Sequence, residues 1–324
     1  MSDFNVYSGQ DLLNIKSEDD KYIVEDILWE KDVVFLVGDA KAGKSILSMQ
    51  IACSLTSGDP FLKTYEVYKP CSVLYVQMEG SLYESVSRMK EMVYPDMGIN
   101  WEPSLFNLLY CKSLSLDTQE GMNSFMSVID KMPVKPEVIF IDPLYMAMQG
   151  DLIDNQASRQ MVKNLRIIKD TLNCVMVILH HEHRQKRDRE GMFINESGSQ
   201  SIFGSFVWRA FASHVISLKK RDDGVRILSC DTQRSGKVIE NIELRMIQPH
   251  PLQFELVGDE QNPYVMETLE CIKNNGAMLV KDIITKSKLS RSAVTHSLCV
   301  LQKDKKIHKV DPKRRPALYT ITKE

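Results

Sequence analysis

Four short apolar runs punctuate the chain: Val33–Val37 (VVFLV), Val73–Val76 (VLYV), Val138–Ile141 (VIFI) and Val175–Leu179 (VMVIL). They are rich in β-branched residues and almost free of charge, as strands buried on both faces of a parallel sheet are. Between them, Lys44–Ser57, Ser81–Val93 and Ala157–Leu172 carry apolar residues at helical spacing. In the last of these, Met161, Leu165 and Ile168 fall on one stripe. Strand–helix alternation predicts an α/β fold with right-handed crossovers. Val215–Leu218, Val225–Ser229 and Ile242–Met246 read as later strands that extend the sheet as an antiparallel meander. Turn signals at Asp222-Asp223-Gly224 and Ser235-Gly236 separate them.

The pattern changes around Gly258–Pro263. A helix is predicted over Tyr264–Asn274 and stopped by Asn274-Asn275-Gly276; a second covers Val280–Lys286, and a third runs from Ser290 through Gln302. Lys306–Ile321 then reads as two short strands about the basic turn Asp311–Pro316. At 324 residues the chain is long enough for about two domains, and the expected units are 1–257 and 258–324.

Charge sharpens that division. The whole chain has a net charge of −2, yet residues 261–324 hold 13 Lys+Arg against 6 Asp+Glu, leaving 28 basic and 37 acidic residues in 1–260. A small basic tail on an acidic body suits a polyanionic partner, although a solvated basic surface has the same composition. Apolar residues at 43% and charged residues at 26% exclude a disordered, collagenous or coiled-coil chain. No apolar run approaches the ~18–20 residues that cross a bilayer. The opening residues MSDFNVYSGQDLL lack a basic start and an apolar stretch, so no secretion signal is expected. The seven cysteines are scattered without a CxxC, which argues against a disulfide framework or a zinc module and for a reducing cytoplasm.

The strongest motif is Gly38-Asp39-Ala40-Lys41-Ala42-Gly43-Lys44-Ser45, a full match to GxxxxGK[ST] between an apolar strand and an apolar-faced helix. Its glycines let the backbone wrap a phosphate chain. Successive N–H groups through Ile46 and the helix N-terminus then face the anion. Lys44 supplies a point charge at the β/γ-phosphates, and the Ser45 hydroxyl can ligate Mg²⁺. Asp142 ends the buried run VIFID, where a carboxylate can join the Mg²⁺ shell or cap the turn before Pro143. Glu79 follows the strand Val73–Val76. It is either a base for the water that attacks the γ-phosphate or a helix-capping surface residue.

These elements, in this order, resemble the RecA-like ATPases, and more closely the RepA-type plasmid helicases and related AAA ATPases of mobile elements. The likeness covers roughly residues 22–247. It is carried by the lead-in Ile23–Trp29, the loop GDAKAGKS, Ser48–Leu62, VLYVQMEGS with Arg88 beyond it, IFIDPL, and the double histidine of VILHHEHR. The resemblance implies a RecA-like, mostly parallel sheet flanked by helices, ATP and Mg²⁺ as cofactors, and Glu79 as the catalytic glutamate. It also implies that His180 and His181 are the polar sensor reading the γ-phosphate. HHEH is alternatively a metal cluster, although adjacent histidines on an extended chain point opposite ways.

Beyond the sensor, Arg184, Lys186, Arg187 and Arg189 precede a Gly/Ser-rich stretch through Gly204. In a RecA-like ring this loop faces the central channel and neutralises phosphates of single-stranded DNA; the alternative is a solvated loop. Met146–Asn155 is a weaker second pore loop. By analogy with helicases of the DnaB type, Arg234 is the arginine finger reaching a neighbour's nucleotide, with Arg209 its rival and an ordinary hairpin residue the alternative. Those helicases often carry lysine two residues earlier, where this chain has Thr232, with Lys237 three beyond the arginine. An inter-subunit site implies a homo-oligomeric ring or filament.

Residues 264–324 resemble a winged helix-turn-helix. Ile283–Ser287 match its second helix and Lys288-Leu289-Ser290 its turn, while Arg291 opens the recognition helix. Ser290 can cap that helix. Arg291, Ser292 and Thr295 project from its first turns toward duplex DNA, and Lys313, Arg314 and Arg315 sit at a wing tip that can hold the backbone. Such modules also dock proteins. The combined expectation is a DNA-associated ATPase, a replicative helicase or DNA-remodelling motor; the alternatives are a regulatory ATP-dependent DNA-binding switch and an adaptor without unwinding activity.

Overall fold

The computed structural model describes residues 7–10, 22–92, 102–181, 202–233, 241–247, 252–257, 263–289, 291–303, 305–311 and 317–322. A small antiparallel pair, β1 (Tyr22–Val24) and β2 (Leu28–Trp29), precedes the main sheet. That sheet contains β3 (Val33–Gly38), β4 (Val73–Gln77), β5 (Phe106–Tyr110), β6 (Val138–Asp142), β7 (Val175–His181), β8 (His214–Lys220), β9 (Arg226–Gln233), β10 (Ile242–Ile247) and β11 (Gln253–Leu256). Their spatial order is β11-β10-β9-β8-β3-β7-β6-β4-β5. The six from β8 to β5 run parallel; β8, β9 and β10 form the predicted antiparallel meander, and β11, which the sequence reading does not predict, adds one more antiparallel strand.

Each central strand is apolar on both sides because both sides are covered. In β3, Val34 and Leu36 join one core while Val33, Phe35 and Val37 join the other. The first core packs on α1 (Lys44–Ser57) through Leu47, Ile51 and Leu55, and on α2 (Leu82–Met92) through Met92. The second packs on α3 (Gln119–Asp130), α4 (Asn155–Leu172) and α5 (Phe206–Phe211), with Phe125, Leu165 and Trp208 buried there. The stripe Met161, Leu165 and Ile168 faces the sheet as its spacing predicts. Local signals set the helix ends: Asp154 caps α4 at the Gln156 N–H, and Asn173 closes it in the left-handed conformation.

The last described segments form α6 (Pro263–Asn275), β12 (Met278–Leu279), α7 (Val280–Ser287), α8 (Arg291–Lys303), β13 (Ile307–Lys309) and β14 (Leu318–Ile321). The three strands pair antiparallel in the order β12-β14-β13. A separate apolar core from Val265 to Tyr319 holds these elements together.

Besides the short elements β1, β2, α5 and β11, two longer ones around the main sheet have no counterpart among the expectations, β5 and α3. β5 lies at the sheet edge with every residue half-buried or exposed, so neither an apolar run nor alternation marks it. The helix α3 starts at a Thr118 cap, with Gly121 in its first turn, and Gly lowers helix propensity.

Gly38 ends β3 where the main chain passes close to β8. A Cβ placed on it would lie 2.3 Å from the Leu218 carbonyl oxygen. Since that neighbour is backbone in the middle of a sheet, Gly38→Ala is expected to lower stability by about 2–3 kcal/mol. Urea unfolding of the parent and variant checks this.

Candidate active site

Strand register brings the chemistry together. Gly38 pairs with His181 across β3 and β7, and Gln77 pairs with Asp142 across β4 and β6. The carboxyl ends of four parallel strands therefore lie along one edge of the sheet, the usual place for a ligand in an open α/β fold.

The loop from Gly38 to Lys44 turns sharply from β3 into α1. Lys41 and Gly43 have φ of 64° and 105°, and the Ala42 N–H donates to the Asp39 carbonyl at 3.2 Å. Gly43 is required for space as well as conformation, because a Cβ there would lie 2.7 Å from the Phe254 ring. Phe254 is held by Gln50, whose side chain donates to its carbonyl at 2.9 Å and accepts from its N–H at 2.8 Å. Arg226 Nε donates to the Ala42 carbonyl at 3.3 Å, so β9 buttresses the loop from the other side. Lys44 Nζ curls back over the loop and donates to the Gly38 and Asp39 carbonyls at 2.7 and 2.9 Å. Amide groups, helix N-terminus and ammonium thus converge where an anionic phosphate chain is best stabilised.

Asp142 is buried at the end of β6, with Tyr75 from β4 donating to its Oδ2 at 2.8 Å. The Ser48 hydroxyl lies 2.7 Å from the Tyr75 hydroxyl and 3.2 Å from the Ser45 carbonyl, and its single proton serves one of the two at a time. The Ser45 hydroxyl hydrogen-bonds Asp142, closing a ring of polar contacts beneath the loop. Desolvation pushes the Asp142 carboxyl up from its ordinary value, opposed by its hydrogen bonds to Ser45 and Tyr75. A buried carboxylate touching a serine hydroxyl offers the hard oxygen donors that suit Mg²⁺, so these residues fit that ion.

Glu79 lies exposed on the turn after β4, its carbonyl accepting from Gln77 Nε2 at 2.7 Å. Its carboxylate accepts from the Tyr145 hydroxyl. The two histidines diverge as an extended chain requires. His180 is 1% exposed, with Nε2 2.7 Å from the Phe203 carbonyl and its ring edge-on to Phe35. His181 is half-buried, 5.8 Å from the Tyr145 ring between centroids. Desolvation, then the nearby Lys44 charge, pulls its imidazole below the ordinary value, while Glu79 acts the other way.

The structure brings together Gly38–Ile46, Glu79, Asp142 and His181, with His180 turned into the core. Tyr75, Tyr145 and Arg226 join them and were missed. Tyr75 could have been suspected as the aromatic hydroxyl in an otherwise aliphatic buried run, but nothing nearby marks Tyr145 or Arg226. Arg209 lies partly buried in the last turn of α5. Arg291 and Ser292 open α8, with Thr295 half-buried one turn on. Arg184, Lys186, Arg187, Arg189, Arg234, Lys313, Arg314 and Arg315 lie outside the described residues, as do Glu182 and His183 of the metal alternative. Among the described residues, no three His, Cys, Asp or Glu side chains are grouped to hold a metal, and no helix is long and apolar enough to cross a membrane.

Residues 10–187 match the model of a family described as an AAA domain. No curated protein sequence matches the chain. Among solved structures, one separately solved ATPase domain is 14% identical with a TM-score of 0.51, over 70% of this chain and 86% of that one. A DnaB-like replicative helicase, studied with its primase interactions, is 16% identical with a TM-score of 0.50 over 70% of this chain, but the match spans only 59% of the helicase. The RadB recombinase is 18% identical with a TM-score of 0.47, over 70% of this chain and 91% of that one. The first two likenesses establish the RecA-like P-loop ATPase fold.

Burial holds the His180 imidazole down to about 4 against an ordinary 6.5. Unfolded chains therefore take up a proton that the folded protein refuses, and stability falls as pH drops through that window. The loss from this one group reaches about 3 kcal/mol. Urea unfolding at several pH values between about 7 and 4 should show a shallower acid decline in His180→Asn than in the parent.

Proposed function

We propose the following function for a chain that, through residues 10–187, belongs to the AAA domain family: it binds Mg-ATP, hydrolyses it to ADP and phosphate, and uses the reaction to move on or remodel DNA. The observation that carries this reading is the convergence of Lys44, Ser45, Glu79 and Asp142 at the carboxyl edge of the sheet.

In this reading the amides of Gly38–Ile46 cradle the phosphates, and Lys44 exchanges its loop carbonyls for the β/γ-phosphate oxygens. Ser45 and Asp142 hold Mg²⁺, which supplies charge neutralisation at the transferring phosphoryl group. Glu79 orients the attacking water and accepts its proton. His181, level with the end of β3, senses the γ-phosphate, and His180 stiffens the strand behind it. Arg234 or Arg209 of a neighbouring copy completes the site, which makes a ring or filament the working assembly.

Two regions contact DNA. Arg184, Lys186, Arg187 and Arg189 hold single strands in the channel of a ring. The tail, a domain of residues 258–324, is a winged helix-turn-helix whose helix α8 and Lys313, Arg314 and Arg315 hold duplex DNA. Three helices, a three-stranded antiparallel sheet and a separate core support that assignment. Thr232, in place of the lysine common in DnaB-type helicases, favours a second reading: an ATP-driven DNA-binding switch that does not unwind.

ATP-dependent separation of a forked duplex by the purified full chain is the expected result. DNA-stimulated hydrolysis without strand separation supports the switch instead, and hydrolysis indifferent to DNA contradicts both. Removing 258–324 is expected to weaken duplex binding and flatten its salt dependence, as measured by fluorescence anisotropy. Unchanged DNA binding in the truncated protein would remove the tail from that role.

A further inference from the structure

Glu79 lies on an exposed turn, and the Gln77 contact restrains its main chain, not its carboxyl group. Rotation about the terminal side-chain bond of a glutamate is soft. A carboxylate that must direct one oxygen at a water molecule needs a second restraint, and Tyr145 provides one.

Tyr145 stands three residues beyond Asp142 in the single 3-10 turn Leu144–Met146. That turn is firmly seated. Leu144 and Ala147 on either side are fully buried, the Leu114 N–H donates to the Met146 carbonyl at 3.0 Å, and the Leu116 N–H donates to the Ala147 carbonyl at 2.8 Å. From this base the Tyr145 hydroxyl donates to Glu79 Oε1, and the same ring lies against His181. Burial, first, and the Glu79 carboxylate, second, push the phenol up to about 12, so it stays a donor throughout the physiological range.

We propose that Tyr145 is a positioning residue that fixes one carboxylate oxygen of Glu79, leaving the other to face the attacking water, and that its ring ties this carboxylate to His181. The inference rests on the reading of Glu79 as the water-activating group. A donor on Oε1 sets the plane of the carboxylate without occupying both oxygens. A shift of His181 at the end of β7 would press on the ring and reorient Glu79, so sensor and base move together.

The test uses the full chain and Tyr145→Phe, which keeps the ring and removes the hydroxyl. Turnover of Mg-ATP should fall about 10- to 100-fold, as for a misoriented catalytic group. KM for Mg-ATP and the affinity for a fluorescent ADP analogue should change less than about twofold, because the phosphate cradle is untouched. Adding Tyr145→Phe to Glu79→Gln should cause no further loss in single-turnover hydrolysis. Parent-like turnover in Tyr145→Phe, with Glu79→Gln impaired, overturns the positioning role and spares the assignment of Glu79. A loss that multiplies onto that of Glu79→Gln, or a collapse of ADP-analogue binding, also overturns it. Full turnover in Glu79→Gln overturns both.

Discussion

The main chain at Gly38 and Gly43 approaches its neighbours so closely that neither position has room for a side chain. The rest of the site depends on that tight approach. It lets the turn out of β3 stay short, closed on itself by the Ala42 N–H donating to the Asp39 carbonyl. The surroundings then hold the turn: Leu218 and Arg226 on the strand side, Phe254 clamped by Gln50 on the helix side. The antiparallel extension β9–β11 therefore does more than widen the sheet, because two of its residues brace the phosphate loop.

The carboxylate buried beneath the loop is paired. Tyr75 bridges Asp142 and Ser48, and Ser45 meets Asp142 from above. A buried carboxylate without such partners would be costly. With them it keeps a fixed orientation, which a metal ligand needs. The strand register completes the design by placing Asp142 level with Gln77, so that Glu79, two residues further on, extends past the edge toward Tyr145 and His181.

Much of the main sheet was legible because double-sided burial leaves an uninterrupted apolar signature. Val33–Val37, Val73–Val76, Val138–Ile141 and Val175–Leu179 all lie within sheet strands, and the phosphate loop follows the first of them. The edge strand Phe106–Tyr110 has no such signature, since an edge strand needs only partial cover. Alternation along β7 separates His180 from His181, but only the fold shows which of them faces the site. Tyr145 was illegible for a different reason: it meets Glu79 across 66 positions of sequence, and only the packed sheet brings them together.

The central claim is that the edge of the sheet around Lys44 binds a Mg-nucleotide. Calorimetric titration of Mg-ATP into the parent and into Lys44→Ala tests it most directly. Saturable binding by the parent and at least about thirtyfold weaker binding by the variant are expected, as for the loss of one charged partner from a desolvated contact. Absence of heat with the parent, or equal affinities for the two proteins, would contradict it.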